Sequence, residues 1–185
     1  MINNIIEVQE FLKNKNICLL GNSNNILKNP KNIDSYDIIC RINRGSPIGK
    51  EKFIGSRTDI LFLSTKMKDA DITKNFNSKY LMWITKDIEK QNNWLEQNVI
   101  KVPSEDWYEV KSILKTLPSS GCISIYFLIK HIEFNKLDIY GFDFFRSGTW
   151  YHNLKKQTWH NGNLEEQFIT NLIKDNPKIQ LINEQ

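Results

Sequence analysis

The chain has 185 residues, enough for one domain with a substantial core and too few for two ordinary ones. Hydrophobic residues make up 40% and charged residues 25%, the balance of a globular protein rather than a disordered or membrane-spanning one. The formal net charge of +4 is mild: it is compatible with an anionic substrate or contact with a membrane surface and does not indicate a nucleic-acid partner.

In chain order, hydrophobic periodicity predicts a helix over 2–13 and strands over 17–20, 37–42, 59–63 and 80–84. A helix over 87–97 and a strand over 99–102 follow, then helices over 107–117 and 121–134. A strand over 137–140, a helix over 164–174 and a strand over 179–182 complete the pattern. Strands apolar on both faces, alternating with helices, form parallel sheets covered on both sides. No repeat or Pro/Gly linker divides the chain, so the expected fold is α/β: a single Rossmann-like domain over 1–185, its mostly parallel sheet flanked by helices. No apolar stretch approaches the roughly 20 residues that span a bilayer, and the N-terminus lacks the basic start and apolar run of a signal peptide. Cys18, Cys40 and Cys122 lie inside apolar runs without a C-x-x-C pair, which reads as buried, reduced thiols. The expected location is the cytoplasm, with peripheral contact at an inner membrane as the compatible membrane association.

In open parallel sheets ligands sit outside the carboxyl ends of the strands, which singles out four segments. Gly21-Asn22-Ser23 turns the first strand. It lacks both the second and third glycines of a dinucleotide fingerprint and the Gly-Lys-Ser/Thr of a P-loop, and it reads equally as a phosphate grip or as an Asn/Ser helix cap. After the second strand come Arg41, Asn43 and Arg44. Alternation puts Arg41 and Asn43 on one face and Ile42 on the other, so the segment reads either as a ribose or phosphate contact or as a surface cation paired with a nearby carboxylate. Ser64-Thr65 follows the third strand, and Gly141-Phe142-Asp143 follows the strand over 137–140.

Pro118-Ser119-Ser120-Gly121 opens an apolar helix. Ser119 or Ser120 caps it, and its first turn favours an anion. Ile123, Tyr126, Phe127, Ile129 and Ile132 of that helix read as core. The stretch from 140 to 163 is irregular, and a loop this long in a compact domain is usually functional. It carries Tyr151, His152 and His160, with Glu165 five residues after the last. Histidine is the side chain that ordinarily titrates nearest neutrality, so a general base belongs here. Asn163 and Glu166 resemble a capping box. The His and acidic spacing matches no zinc pattern, and no acidic pair of D-x-D form directly follows a strand, so no metal is expected.

Together these segments resemble the sialyltransferases of glycosyltransferase family 29, over about residues 17–172. The large sialyl motif looks like Gly21-Asn22-Ser23, Asp34, Arg41-Ile42-Asn43 and Gly55-Ser56-Arg57-Thr58-Asp59. The small motif looks like Pro118-Ser119-Ser120-Gly121 leading to Tyr140-Gly141-Phe142, and the last motif like His160 through Glu165. The family's third motif usually begins His-Tyr, whereas Trp150-Tyr151-His152 stands here; the animal enzymes' cysteine pair is replaced by Ile17 and Phe134.

The resemblance implies a GT-A-like variant of the Rossmann-type fold and an inverting, metal-independent transfer with no cofactor. The donor would be CMP-sialic acid and the acceptor a glycan hydroxyl, such as that of a cell-surface lipooligosaccharide or capsule. It assigns His160, His152 and Glu165 to catalysis. It assigns Gly21, Asn22, Ser23, Arg41, Asn43, Ser119, Ser120, Gly121, Gly141, Phe142, Asp143 and Tyr151 to the CMP donor. The alternatives are a CMP-Kdo-type transferase on the same scaffold and a catalytically silent nucleotide- or partner-binding domain. A dinucleotide oxidoreductase stands further off, for want of the glycine fingerprint.

Overall fold

Each apolar run of strand length in the described residues forms a strand. The computed structural model describes residues 5–86, 99–151 and 159–182. In these residues the strands are β1 (Asn16–Leu20), β2 (Ile38–Ile42), β3 (Ile60–Leu63), β4 (Tyr80–Trp83), β5 (Val99–Lys101), β6 (Lys136–Tyr140) and β7 (Ile179–Ile182). They join one seven-stranded sheet in the order β5-β4-β3-β2-β1-β6-β7, with every neighbouring pair parallel. The expected Rossmann-like α/β arrangement is therefore present.

The helices are α1 (Ile5–Leu12), α2 (Glu51–Ile54), α3 (Asp69–Asn75), α4 (Ser104–Leu114), α5 (Ser120–His131) and α6 (Gly162–Ile173). The expected helix over 87–97 lies outside the described residues. Period-two alternation divides the strand side chains between two cores. Ile17, Leu19, Cys40, Ile42, Phe62 and Ile139 pack against Val8, Val110, Phe127 and Ile169, which come from α1, α4, α5 and α6. On the opposite face, Cys18, Leu20 and Ile39 meet Ile26, Ile33 and Ile54, while Leu61, Leu63 and Trp83 meet Ile72 and Phe76. Each such aliphatic side chain contributes roughly 1.5–3 kcal/mol when fully buried. The double cover explains why the strands read as continuous apolar runs.

Cys18, Cys40 and Cys122 are free and buried, and burial pushes each thiol above its ordinary range. Ile17 and Phe134 are buried in the same core. No helix of the described residues is long and apolar enough to cross a membrane.

Strand order fixes where a ligand can enter. The chain lays strands outward from β1 to β5 and then returns to the other flank of β1 with β6. This reversal opens a crevice outside the carboxyl ends of β1 and β6, the position at which doubly wound sheets hold ligands.

Candidate functional site

Two strand-end loops meet at the crevice. Gly21 N–H donates to the Tyr140 carbonyl at 2.7 Å, and Ser23 N–H to the Gly141 carbonyl at 3.1 Å. Gly141 has φ +71°, a left-handed conformation that suits glycine, and a Cβ there would sit 2.9 Å from the Gly21 carbonyl oxygen. At Gly21 a Cβ would strike the Gly141 carbonyl. Close backbone approach explains both glycines. The Phe142 ring lies against Gly21 on one side and Gly121, at the start of α5, on the other.

A pocket of about 180 Å³ opens over this junction. Its wall includes Gly21, Asn22, Ser23, Asn43, Ser119, Ser120, Gly121, Gly141, Phe142, Asp143, Tyr151, His160 and Glu165. Segments distant in sequence thus converge on one pocket. His152 lies outside the described residues.

Arg41 does not line the pocket, and its expected place beside Asn43 is corrected. It lies on the strand face opposite Ile42 and is 1% exposed. Its guanidinium donates to the carbonyls of Ile54, Gly55 and Arg57 at 2.7, 3.1 and 2.9 Å and to Thr58 Oγ1 at 2.9 Å. Burial pulls its pKa down to about 10. Asn43 reaches the pocket because its φ of +51° breaks the strand alternation. Its amide donates to Ser120 Oγ at 3.2 Å, its carbonyl oxygen accepts from Ser64 N–H at 2.8 Å, and Ser120 Oγ donates to Ser64 Oγ at 2.7 Å. These bonds tie the ends of β2 and β3 to the N-terminus of α5.

The rest of the large motif serves the same clasp as Arg41. Asp34 accepts from Ser56 N–H at 2.9 Å and Arg57 N–H at 3.2 Å. Partial burial opposes its ionisation, but these hydrogen bonds outweigh it and hold its pKa below the ordinary value. Asp59 accepts from Ile39 N–H at 2.8 Å.

Asn22 Nδ2 donates to the Ile42 carbonyl at 3.0 Å and approaches Tyr151 Oη at 3.4 Å. Burial pushes the Tyr151 hydroxyl up, against the pull of Arg44 and Asn22. Ser23 makes no side-chain cap to the following 3-10 turn, contrary to the cap reading. Its Oγ, in the pocket wall, is buried with no hydrogen-bond partner among the described residues.

Ser119 caps α5, accepting from Cys122 N–H at 3.1 Å. Glu165 is 2% exposed and accepts from both Ser119 N–H at 2.7 Å and Ser119 Oγ at 2.6 Å. It therefore anchors the helix start. Burial pushes its carboxyl up, partly offset by the Ser119 hydrogen bonds and the nearby His160. A carboxyl whose folded pKa is raised contributes stability that is fully present below its unfolded value, about 4.3, and lost as pH rises through the folded value. Glu165→Gln cannot ionise, so its stability relative to wild type should improve as pH rises from about 4 to 7. Urea unfolding across that range checks this; a difference that moves the other way contradicts it.

α6 begins two residues earlier than the sequence suggests. Asn161 is its cap, its Oδ1 accepting from Leu164 N–H at 3.2 Å, so the Asn163–Glu166 capping box does not form. Glu166 pairs instead with Arg146. His160, just before this cap, stacks on Phe145 with ring centroids 5.6 Å apart and planes 16° from parallel. Its Nδ1 lies 2.8 Å from the Leu117 carbonyl. A carbonyl can only accept, so Nδ1 carries the proton and the neutral ring leaves Nε2 as a base.

Phe144 and Phe145 also line the pocket, and sequence reasoning missed them. They have φ of +52° and +69°, a conformation that costs bulky residues of order 1–3 kcal/mol each. Only the long irregular loop hinted at them. The single Asp-x-Asp triplet, Asp69-Ala70-Asp71, opens α3, and neither acid lines this pocket.

Fold and pocket together define a doubly wound parallel α/β protein with a polar cleft at its switch point. No protein-family model matches the sequence, and no curated protein matches it. Among solved structures, a mammalian sialyltransferase superposes with a TM-score of 0.63 at 19% identity, over 93% of this chain and 70% of that one. The monofunctional α-2,3-sialyltransferase Cst-I from Campylobacter jejuni gives 0.63 at 13% identity, over 93% and 77%. The sialyltransferase CstII from Campylobacter jejuni, in complex with cytidine-5'-monophosphate, gives 0.59 at 12%, over 88% and 77%. At these identities the likeness establishes the fold: this chain is built on the scaffold of the sialyltransferases.

Proposed function

We propose that the chain, as one catalytic domain over 1–185, transfers sialic acid from CMP-sialic acid to a hydroxyl of an acceptor glycan. The observation that carries this reading is convergence. Segments matching three sialyl motifs in sequence line one pocket at the switch point of a fold shared with sialyltransferases, one of them bound to cytidine-5'-monophosphate.

The displacement proceeds in one step. His160 Nε2 takes the acceptor hydroxyl proton as that oxygen bonds to the anomeric carbon of the donor. The bond from this carbon to the phosphate oxygen breaks, CMP leaves with the electron pair, and the anomeric centre inverts. Charge developing on the phosphate meets the amide of Asn22, the hydroxyl of Tyr151 and the first turn of α5. Glu165 holds that turn through Ser119 and acts as a positioning residue.

Asn22→Ala and Asn43→Ala should each weaken CMP binding by about 10- to 150-fold, the range of one lost hydrogen bond to a charged group. Calorimetry with CMP tests the proposal; unchanged affinity in both variants would return these residues to loop capping.

A monophosphate leaving group carries less charge than a diphosphate, so helix amides and side-chain donors suffice to neutralise it. Transfer should therefore persist in EDTA. Activity lost in chelator and restored by one specific cation contradicts this.

A further inference from the structure

Beside the donor pocket lies a second, larger cleft. It has a volume of about 510 Å³, and its polar wall is Arg44, Ser46, Lys66, Lys68, Asp71 and Asn75. The chain path explains its position. Arg44 and Ser46 follow the carboxyl end of β2, Lys66 and Lys68 follow that of β3, and Asp71 and Asn75 belong to α3. Ser46 Oγ reaches the Asn75 carbonyl at 3.5 Å and joins the two walls. The cleft therefore opens on the same edge of the sheet as the donor pocket.

Its charge is lopsided. Three cations face the single carboxylate of Asp71, a formal +2 in one concave surface. The Arg44 guanidinium and the Lys68 ammonium have no hydrogen-bond or ion-pair partner among the described residues. Concentrating like charges in a concave wall raises their mutual repulsion, which a bound anion would relieve. Arg44 links the two cavities: it stands next to Asn43 of the donor pocket, and its charge is felt at Tyr151.

We infer that this cleft is an acceptor subsite that recognises an anionic group, a carboxylate or a phosphate, on the glycan receiving the sugar. The assignment rests on the transferase reading above and adds the acceptor class to it. Arg44 supplies a planar fork suited to either oxyanion, and Lys66 and Lys68 supply point charges. The donor's own phosphate is already served by the α5 start, Asn22 and Tyr151, which leaves Arg44 and Lys68 for the acceptor.

The test measures kcat/KM with CMP-sialic acid and three acceptors: a neutral Gal-β-1,3-GalNAc disaccharide, its carboxylate derivative and its phosphate derivative. CMP release from the donor without acceptor is recorded alongside. The wild type should use at least one charged acceptor about tenfold better than the neutral parent, and the preference should shrink as salt is raised. Lys66→Ala and Lys68→Ala change exposed side chains that line this cleft and not the donor pocket. Combined, they should remove the preference while leaving acceptor-free CMP release unchanged. The carboxylate and phosphate arms identify which oxyanion the cleft takes. Normal CMP release with equal use of neutral and charged acceptors, with no use of charged ones, or with a preference that survives the double variant overturns the subsite. Absence of CMP release in every arm overturns the transferase reading, and the subsite with it.

Discussion

His160→Ala is expected to lower transfer by about 10²–10⁴-fold, the usual worth of a general base, while CMP binds as in wild type. The separation of effects follows from the ring's surroundings. His160 contacts the Phe145 ring and the Leu117 carbonyl, and both fix its orientation without involving the Gly21-Asn22-Ser23 loop. With Nδ1 committed to Leu117, the ring has one nitrogen left for chemistry, and that nitrogen accepts a proton. Alanine removes the acceptor and opens a gap beside Phe145, so added imidazole should restore part of the rate. Steady-state kinetics and CMP calorimetry on the same preparation check both halves. Near-wild-type turnover, or a parallel loss of CMP affinity, removes the base role.

The second large effect concerns stability. Arg41→Ala is expected to cost about 3 kcal/mol or more, from orphaned carbonyls and an unfilled cavity. Among the described residues, the guanidinium is what bridges the carbonyls of Ile54, Gly55 and Arg57 to β2. Water does not reach that space, since Arg41 is 1% exposed. Arg41→Lys should recover only part of the loss, because an ammonium cannot serve carbonyls spread around a planar fork. Denaturant unfolding measures the cost, and calorimetry on the folded Arg41→Lys variant should return unchanged CMP affinity. Wild-type stability combined with lost CMP affinity would move Arg41 into the donor grip.

These two residues mark what the sequence can and cannot disclose. Strands such as β1 and β2 are buried on both faces, so their apolar runs are continuous and their positions were readable. The four-residue α2 and the polar α3, with Ile72 its one buried residue, carry too little periodicity to announce a helix. At the site, the glycine and asparagine turns after β1 and β6 were legible because only a few residue types suit such backbone. Arg41 was misplaced because alternation assumes an unbroken strand, and the left-handed φ of Asn43 ends that assumption one residue after Ile42. Glu165 was legible as an acid near His160. Its anchoring of Ser119 spans 46 residues of sequence and depends on how α5 and α6 pack. The left-handed pair Phe144 and Phe145 carries no signal beyond its place in the long irregular loop.

The central claim is a CMP-activated sialic acid donor handled at the junction of β1, β6 and α5. Its most direct test is a donor panel: CMP-sialic acid, CMP-Kdo and a set of nucleoside diphosphate sugars, each incubated with the protein and assayed for nucleotide release. The account predicts release of CMP from CMP-sialic acid, no release from the diphosphate donors, and loss of transfer in His160→Ala. Preferential release from CMP-Kdo would keep the site and change the sugar. Release from a diphosphate donor alone, or from none of the panel, would contradict the account.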